Sequence, residues 1–176
     1  DKHHYEGSVV ANLEGFWAVH FGWLRGSFTY SSAGCSIVFK ASKFSRRDMV
    51  SIKVPPRAVA GRGGSVRIKS DPLDINAVVE YAPPINGTKG QRQAQAKGAA
   101  IVSKWAQECM SNTPARCLPL LGGDFNTGLG LNEDGIPWEK GVGSRNIGHP
   151  GPGAGSWQQW LVDSDMGIAP HDNDVE

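Results

Sequence analysis

"LPLLGGDFNTGLG", which runs from Leu118 to Gly130, joins an apolar run to two glycines, an acid, an aromatic residue and an amide. A short apolar run that ends in turn residues predicts a buried strand. The strand would deliver Asp124 and Asn126 to its carboxyl end, which is a common place for sites in α/β folds. The two glycines before the acid leave room for a ligand to approach.

The residues before this strand predict a strand–helix–strand unit across 74–123. The segment Asp74–Ala82, "DINAVVEYA", has the composition of a strand and is closed by two prolines. Thr88 and Gln91 form a T-x-x-Q capping box, which predicts the start of a helix. That helix ends before Pro114.

Strand patterns also occur earlier in the chain, whereas residues 1–15 show no clean period. The predicted strands are Phe16–Trp23, Ala33–Lys40, Asp48–Val54 and Gly63–Ser70. After Asn126, the predictions are a Gly/Pro-rich loop over 127–156, a short helix over Trp157–Asp165 and the start of a strand over Met166–Pro170.

Composition limits the class of protein. A chain of 176 residues predicts a single domain over 1–176. The formal net charge is 18 − 17 = +1, so bulk attraction to nucleic acid is excluded and any polyanion must bind locally. Three cysteines without ligand spacing argue against a disulfide framework or a zinc site and favour a reducing compartment. No apolar run approaches the ~20 residues of a membrane helix.

The chemistry of Asp124 and Asn126 fits phosphate esters. The carboxylate accepts hydrogen bonds from water or binds a metal, and the amide donates to an anionic oxygen. Spacing alone also allows a purely structural interpretation, in which both residues form Asx turns in a loop.

Three ordered features resemble the endonuclease/exonuclease/phosphatase superfamily. "GDFN" resembles its best-known motif, "SAGCSIVFK" its glycine-led strand, and "INAVVEYAPP" its strand ending in Tyr-x-Pro. The resemblance covers about Gly15 to Ala169 and is closest to the endonuclease domains of LINE-type retrotransposons. It implies an α+β fold of two packed, mostly antiparallel sheets flanked by helices, a four-layer sandwich that is incomplete in this chain.

The resemblance also implies an activity, which is metal-dependent nicking of DNA with Mg²⁺ or Mn²⁺. By matching position, Asp124 would bind the metal and orient or deprotonate the attacking water. Asn126 would hydrogen-bond the scissile phosphate, and Tyr81 would donate to it. Arg62 and Arg145, on surface loops, would contact the DNA backbone.

The same resemblance implies a monomeric, intracellular and nuclear protein, with a reverse-transcriptase domain in the same polypeptide. It also has gaps. The family's metal-binding Glu has no match, because neither Glu6 nor Glu14 follows an apolar strand or a Gln. The closing Asp-His pair has no match either, because His171-Asp172 has the reverse order and comes too early. We therefore expect a domain truncated at both ends, active as a nuclease in the full-length parent and inefficient in this chain. The alternatives are a decayed, non-catalytic relic or binding module, and a phosphomonoesterase of the same fold.

Overall fold

The computed structural model of this protein describes residues 7–23, 34–126 and 154–164. Several predictions fall outside the described residues, namely most of the loop over 127–156, the strand at 166–170, Arg145 and His171-Asp172. The strands are β1 (Gly7–Leu13), β2 (Phe16–Trp23), β3 (Cys35–Lys40), β4 (Met49–Lys53), β5 (Gly63–Ser70), β6 (Leu73–Tyr81) and β7 (Leu118–Asp124). The helices are α1 (Lys89–Ser111) and α2 (Ala154–Ser164), with 3-10 turns at Arg46–Asp48 and Arg57–Val59.

The strands form two sheets that pack face to face. Sheet A has the order β1–β2–β3 and is antiparallel throughout. Sheet B has the order β4–β5–β6–β7, in which only β7 runs parallel to its neighbour. β3 lies across β5 and β6, and β2 lies across β5, while α1 packs on the other side of sheet B with α2 beside it. The predicted α+β sandwich of two mostly antiparallel sheets is therefore confirmed, and the described residues supply both sheets and one helical layer.

The core between the sheets consists of alternating side chains from both. Its buried members are Trp17, Val19, Phe21, Phe39, Val66 and Ile68. Phe21 is fully buried, and its ring occupies the space that a Cβ on Gly64 would need. Contact of an aromatic ring with bare backbone brings sheet A close to sheet B at this point. Gly64 is thus required by packing.

Polar contacts fix α1 along β6. The Nδ2 atom of Asn76 donates to the carbonyl of Cys109 at 3.1 Å and to the hydroxyl of Thr113 at 2.8 Å. Ser65 donates to the Oδ1 atom of Asn76 at 2.8 Å, so the buried amide is satisfied on both sides. A second apolar cluster surrounds this anchor and includes Val78, Ala106, Cys109, Met110 and Trp157. The helix therefore has a defined register on the sheet.

Most predicted elements are confirmed with small shifts at their ends. The capping box of Thr88 and Gln91 is present, and α1 ends at Ser111, before Pro114 as predicted. α2 begins three residues before the predicted Trp157. β1 is the element that sequence analysis missed, because its pattern is weak and its pairing with β2 across a two-residue loop supplies the order. Neither described helix has the combination of length and apolar character that crossing a membrane requires.

Replacing Gly64 by alanine tests the close approach of the sheets. The new methyl group would force Phe21 out of its position, and overpacking of this kind costs about 1–3 kcal/mol of unfolding free energy. Urea denaturation measures the loss. Gly90→Ala is the control, because a Cβ there meets nothing within 4 Å and alanine favours a helix. Equal unfolding free energies of Gly64→Ala and the parent would show that Phe21 does not pack directly on Gly64.

Candidate functional site

β6 and β7 end side by side, and their last residues are paired. Tyr81 is the register partner of Asp124, and the N–H of Ala82 donates to the carbonyl of Asp124 at 2.9 Å. The N–H of Tyr81 donates to the carbonyl of Arg62 at 2.8 Å, and the Arg62 guanidinium lies 5.0 Å from the centre of the Tyr81 ring. Three residues thus lie side by side at one level of sheet B: Arg62 just before β5, Tyr81 at the end of β6 and Asp124 at the end of β7. We call these three residues the site row.

The site row faces the side of sheet B on which sheet A packs. Side chains alternate along a strand, and the residue after Asp124 points the other way, since Phe125 packs against Trp157 with ring centres 5.2 Å apart. Asp124 is exposed and Tyr81 is half-buried. Beside the row, a Cβ on Gly122 would meet nothing within 4 Å. The open space that the two glycines predict is therefore present at Gly122.

Asn126 closes the end of the two strands. Its backbone N–H donates to the Oδ1 atom of Asp124 at 3.0 Å, which is an Asx turn, and its Nδ2 atom donates to the carbonyl of Ala82 at 2.7 Å. Its φ of +47° lies in the left-handed region, which asparagine tolerates better than most residues. Asn126 therefore makes the Asx-turn contact that the purely structural interpretation predicts. The predicted bond to a phosphate would use the second N–H of the amide.

Arg62 carries an unsatisfied donor. Its Nη1 atom is buried and has no hydrogen-bond partner among the described residues. A guanidinium prefers planar, bidentate partners such as carboxylates and phosphates. This unpartnered donor lies beside Tyr81 in the site row. Arg145, the other predicted DNA contact, lies outside the described residues.

The described residues fit a divalent metal only in part. Asp124 is the single acid of the site row, and within residues 7–23, 34–126 and 154–164 no group of three His, Cys, Asp or Glu side chains is placed to hold a metal. Mg²⁺ prefers several oxygen ligands in octahedral geometry. Asp124 would supply one of them, so these residues alone do not make a metal site.

Glu80 is a buried acid that sequence analysis overlooked. It precedes Tyr81 on β6, is fully buried, and accepts a hydrogen bond from Ser103 of α1 at 2.6 Å. Its Oε2 atom has no partner within the described part of the chain. Burial raises the pKa of Glu80 to about 7, and the bond from Ser103 acts in the opposite direction. The signal was available, because Glu80 has the same strand phase as Val78, which faces the helix.

Glycines flank Glu80 on both neighbouring strands. Gly63 and Gly123 are its register partners on β5 and β7. A Cβ on Gly63 would lie 2.8 Å from the Trp105 ring, and one on Gly123, whose φ is +154°, would overlap the backbone of Glu80. The backbone of β7 therefore approaches β6 closely just before Asp124. This contact sets the position of the acid relative to Tyr81.

A cavity of about 450 Å³ lies at the other end of sheet B. Its lining includes Thr113, Pro119 and Trp160, so it opens between the end of α1, the start of β7 and α2. Since Pro119 is at the start of β7 and Asp124 at its end, the cavity is remote from the site row.

No protein family, curated protein or solved structure matches this chain. The resemblance found in the sequence therefore remains a prediction.

Replacing Asn126 by alanine tests the closing of the strands. Loss of the bond to Ala82 costs about 1 kcal/mol, and a left-handed alanine costs about 1 kcal/mol more. Asn126→Gly removes the bond but tolerates the backbone conformation, so it should lose less. Unfolding free energies from urea denaturation separate the two effects. Identical losses in both variants would contradict a backbone contribution.

Glu80 should make stability depend on pH. Below pH 4.5 both folded and unfolded chains hold the proton. Between pH 4.5 and about 7 only the folded chain keeps it, so the unfolding free energy falls as pH rises. The loss is on the order of 3 kcal/mol and is complete above pH 7.

Glu80→Gln removes this dependence and should be the more stable protein at pH 8. Urea denaturation of both chains from pH 4.5 to 8 measures the difference. Glu108→Gln, an exposed position on α1, against which Glu80 packs, is the matched control and should follow the parent. A pH-independent difference between the parent and Glu80→Gln would contradict the raised pKa.

Proposed function

We propose that this chain carries the central part of a phosphodiesterase site that nicks DNA. The observation that carries the proposal is the site row, in which a guanidinium, a phenol and an exposed carboxylate share one face at one end of sheet B. Neighbouring strands lie about 4.8 Å apart, so the row spans about 10 Å. This width suits a phosphate group held between donors and an acceptor.

Each residue of the row has a chemical role in this proposal. Arg62 directs its free N–H groups at the phosphoryl oxygens, and the Tyr81 hydroxyl donates to the same group. Both donors would stabilise the negative charge that grows on the phosphate during attack. Asp124 orients the attacking water and accepts its proton. Asn126 holds the ends of β6 and β7 together and offers its second amide N–H.

The proposal extends to Mg²⁺ or Mn²⁺, to which Asp124 contributes one ligand. When bound, such an ion neutralises phosphate charge and polarises the phosphoryl group. Three parts of the proposal rest on the sequence resemblance alone: DNA as the partner, a reverse-transcriptase domain in the same polypeptide and a nuclear location.

A non-catalytic DNA-binding module is the alternative that a specific observation favours. The site row has one acid, and the described residues complete no metal site. Such a protein would bind DNA at Arg62 and leave it intact. Binding and nicking must therefore be measured separately.

Nicking of supercoiled plasmid in the presence of Mg²⁺ tests the catalytic proposal. We expect slow conversion to open circles that EDTA stops and that Asp124→Asn lowers about a hundredfold, because it removes the proton acceptor. Asp163→Asn, an exposed acid on α2 outside the row, is the matched control and should leave the rate unchanged. Nicking that survives Asp124→Asn would refute the assigned role.

Binding of a labelled 12-base-pair duplex, followed by fluorescence anisotropy, tests the anion site. Arg62→Met keeps a long, flexible aliphatic side chain at this position and removes the charged donors, so the affinity should fall about tenfold. Arg47→Met, an exposed arginine at the other end of sheet B, is the control. Binding without nicking would favour the binding module, and equal affinities of both variants would refute an anion site at Arg62.

A further inference from the structure

We propose that Glu80 is a positioning residue: while protonated it holds the end of β6 against α1, and loss of its proton displaces Tyr81 and Asp124. The inference concerns a residue on the opposite face of the sheet from the site row. Its consequence for catalysis rests on the phosphodiesterase proposal, whereas the displacement itself does not.

The geometry gives Glu80 control over the strand end. It is fully buried, it immediately precedes Tyr81, and Ser103 donates to its Oε1 atom at 2.6 Å. On the neighbouring strand, Gly123 contacts the backbone of Glu80 and immediately precedes Asp124. A movement of Glu80 is therefore transmitted directly to Tyr81 and Asp124, two of the three residues of the site row.

The surroundings of Glu80 favour the neutral acid. β5 and β7 present the glycines Gly63 and Gly123, and α1 presents the hydroxyl of Ser103. No charged group among the described residues contributes to its pKa, which burial raises to about 7. Lys104, the next residue along α1, is exposed, and Arg62 belongs to the other face of the sheet.

Ionisation of Glu80 therefore changes the structure around it. The proton passes to water, and the carboxylate that remains is buried; among the described residues it has one hydrogen bond, from Ser103, and no partner for its Oε2 atom. A buried charge without a partner is unfavourable, so the end of β6 separates from α1 to hydrate it. Because Tyr81 is paired with Asp124, both leave the arrangement that the site requires.

The test is a pH titration of the ¹⁵N-labelled chain of 176 residues, followed by the amide resonances of Tyr81 and Asp124 between pH 5.5 and 8.5. Both resonances should titrate with a midpoint near pH 7. Glu80→Gln, which mimics the protonated acid, should abolish the transition. Glu108→Gln, exposed on α1, should retain it.

Plasmid nicking over the same pH range gives the catalytic readout. The rate of Glu80→Gln should equal that of the parent at pH 6 and exceed it about tenfold at pH 8, where about one Glu80 in ten still holds its proton. If Glu80→Gln does not fold, Ser103→Ala replaces it. Loss of the Ser103 bond, which lowers the pKa, should move the midpoint to higher pH.

The inference would be overturned by resonances of Tyr81 and Asp124 that do not titrate in the parent, or by a titration unchanged in Glu80→Gln or in Ser103→Ala. A rate ratio that stays constant with pH would also overturn it. If the resonances titrate but no nicking occurs at any pH, the result would support positioning by Glu80 and refute the phosphodiesterase proposal. The two proposals therefore fail in different measurements.

Discussion

The parallel pairing of β6 with β7 determines where the candidate functional groups of this protein lie. Parallel neighbours need a long crossover, and α1, with 23 residues, provides about 34 Å of return path. The anchor at Asn76 fixes α1 on β6, so the chain re-enters the sheet with Asp124 opposite Tyr81. A slip of one residue would turn Asp124 towards the helices and Phe125 towards sheet A.

The sandwich supports this arrangement from the other side. Sheet A covers β5 and β6 through the contact of Phe21 with Gly64, which lies two residues beyond Arg62 along the chain. β7 is outside that cover, and Leu118 and Leu120 are exposed on the face they share with Asp124. The site row therefore runs from the packed part of the sandwich to its open side. Arg62 and Tyr81 are held by packing, while Asp124 remains accessible to water.

Sequence patterns predicted the elements of this fold well and the contacts between them poorly. The bounds of β2 and β5 and the capping box at Thr88 follow from local residue preferences, which the fold does not override. The place of Asp124 beside Tyr81 followed from the strand order. The strand phase of Glu80 was readable from the sequence, but its burial and the unsatisfied donor of Arg62 were not, because burial depends on the register of three strands and on the helix above them.

Arg62 and Glu80 place two different constraints on the same end of sheet B. The Nη1 atom of Arg62 lies on the face towards sheet A and the Oε2 atom of Glu80 lies under α1, and neither has a hydrogen-bond partner in the part of the chain that the structure describes. Replacing either group by a well-packed apolar residue would stabilise the fold. An anion bound at the guanidinium would relieve the cost of its unpartnered donor. The carboxyl relieves its own cost by holding a proton, which makes the state of the strand end depend on pH. In the proposed site, a ligand at Arg62 and a proton on Glu80 would act on opposite faces of sheet B, and Tyr81, which follows Glu80 and lies beside the Arg62 guanidinium, connects them.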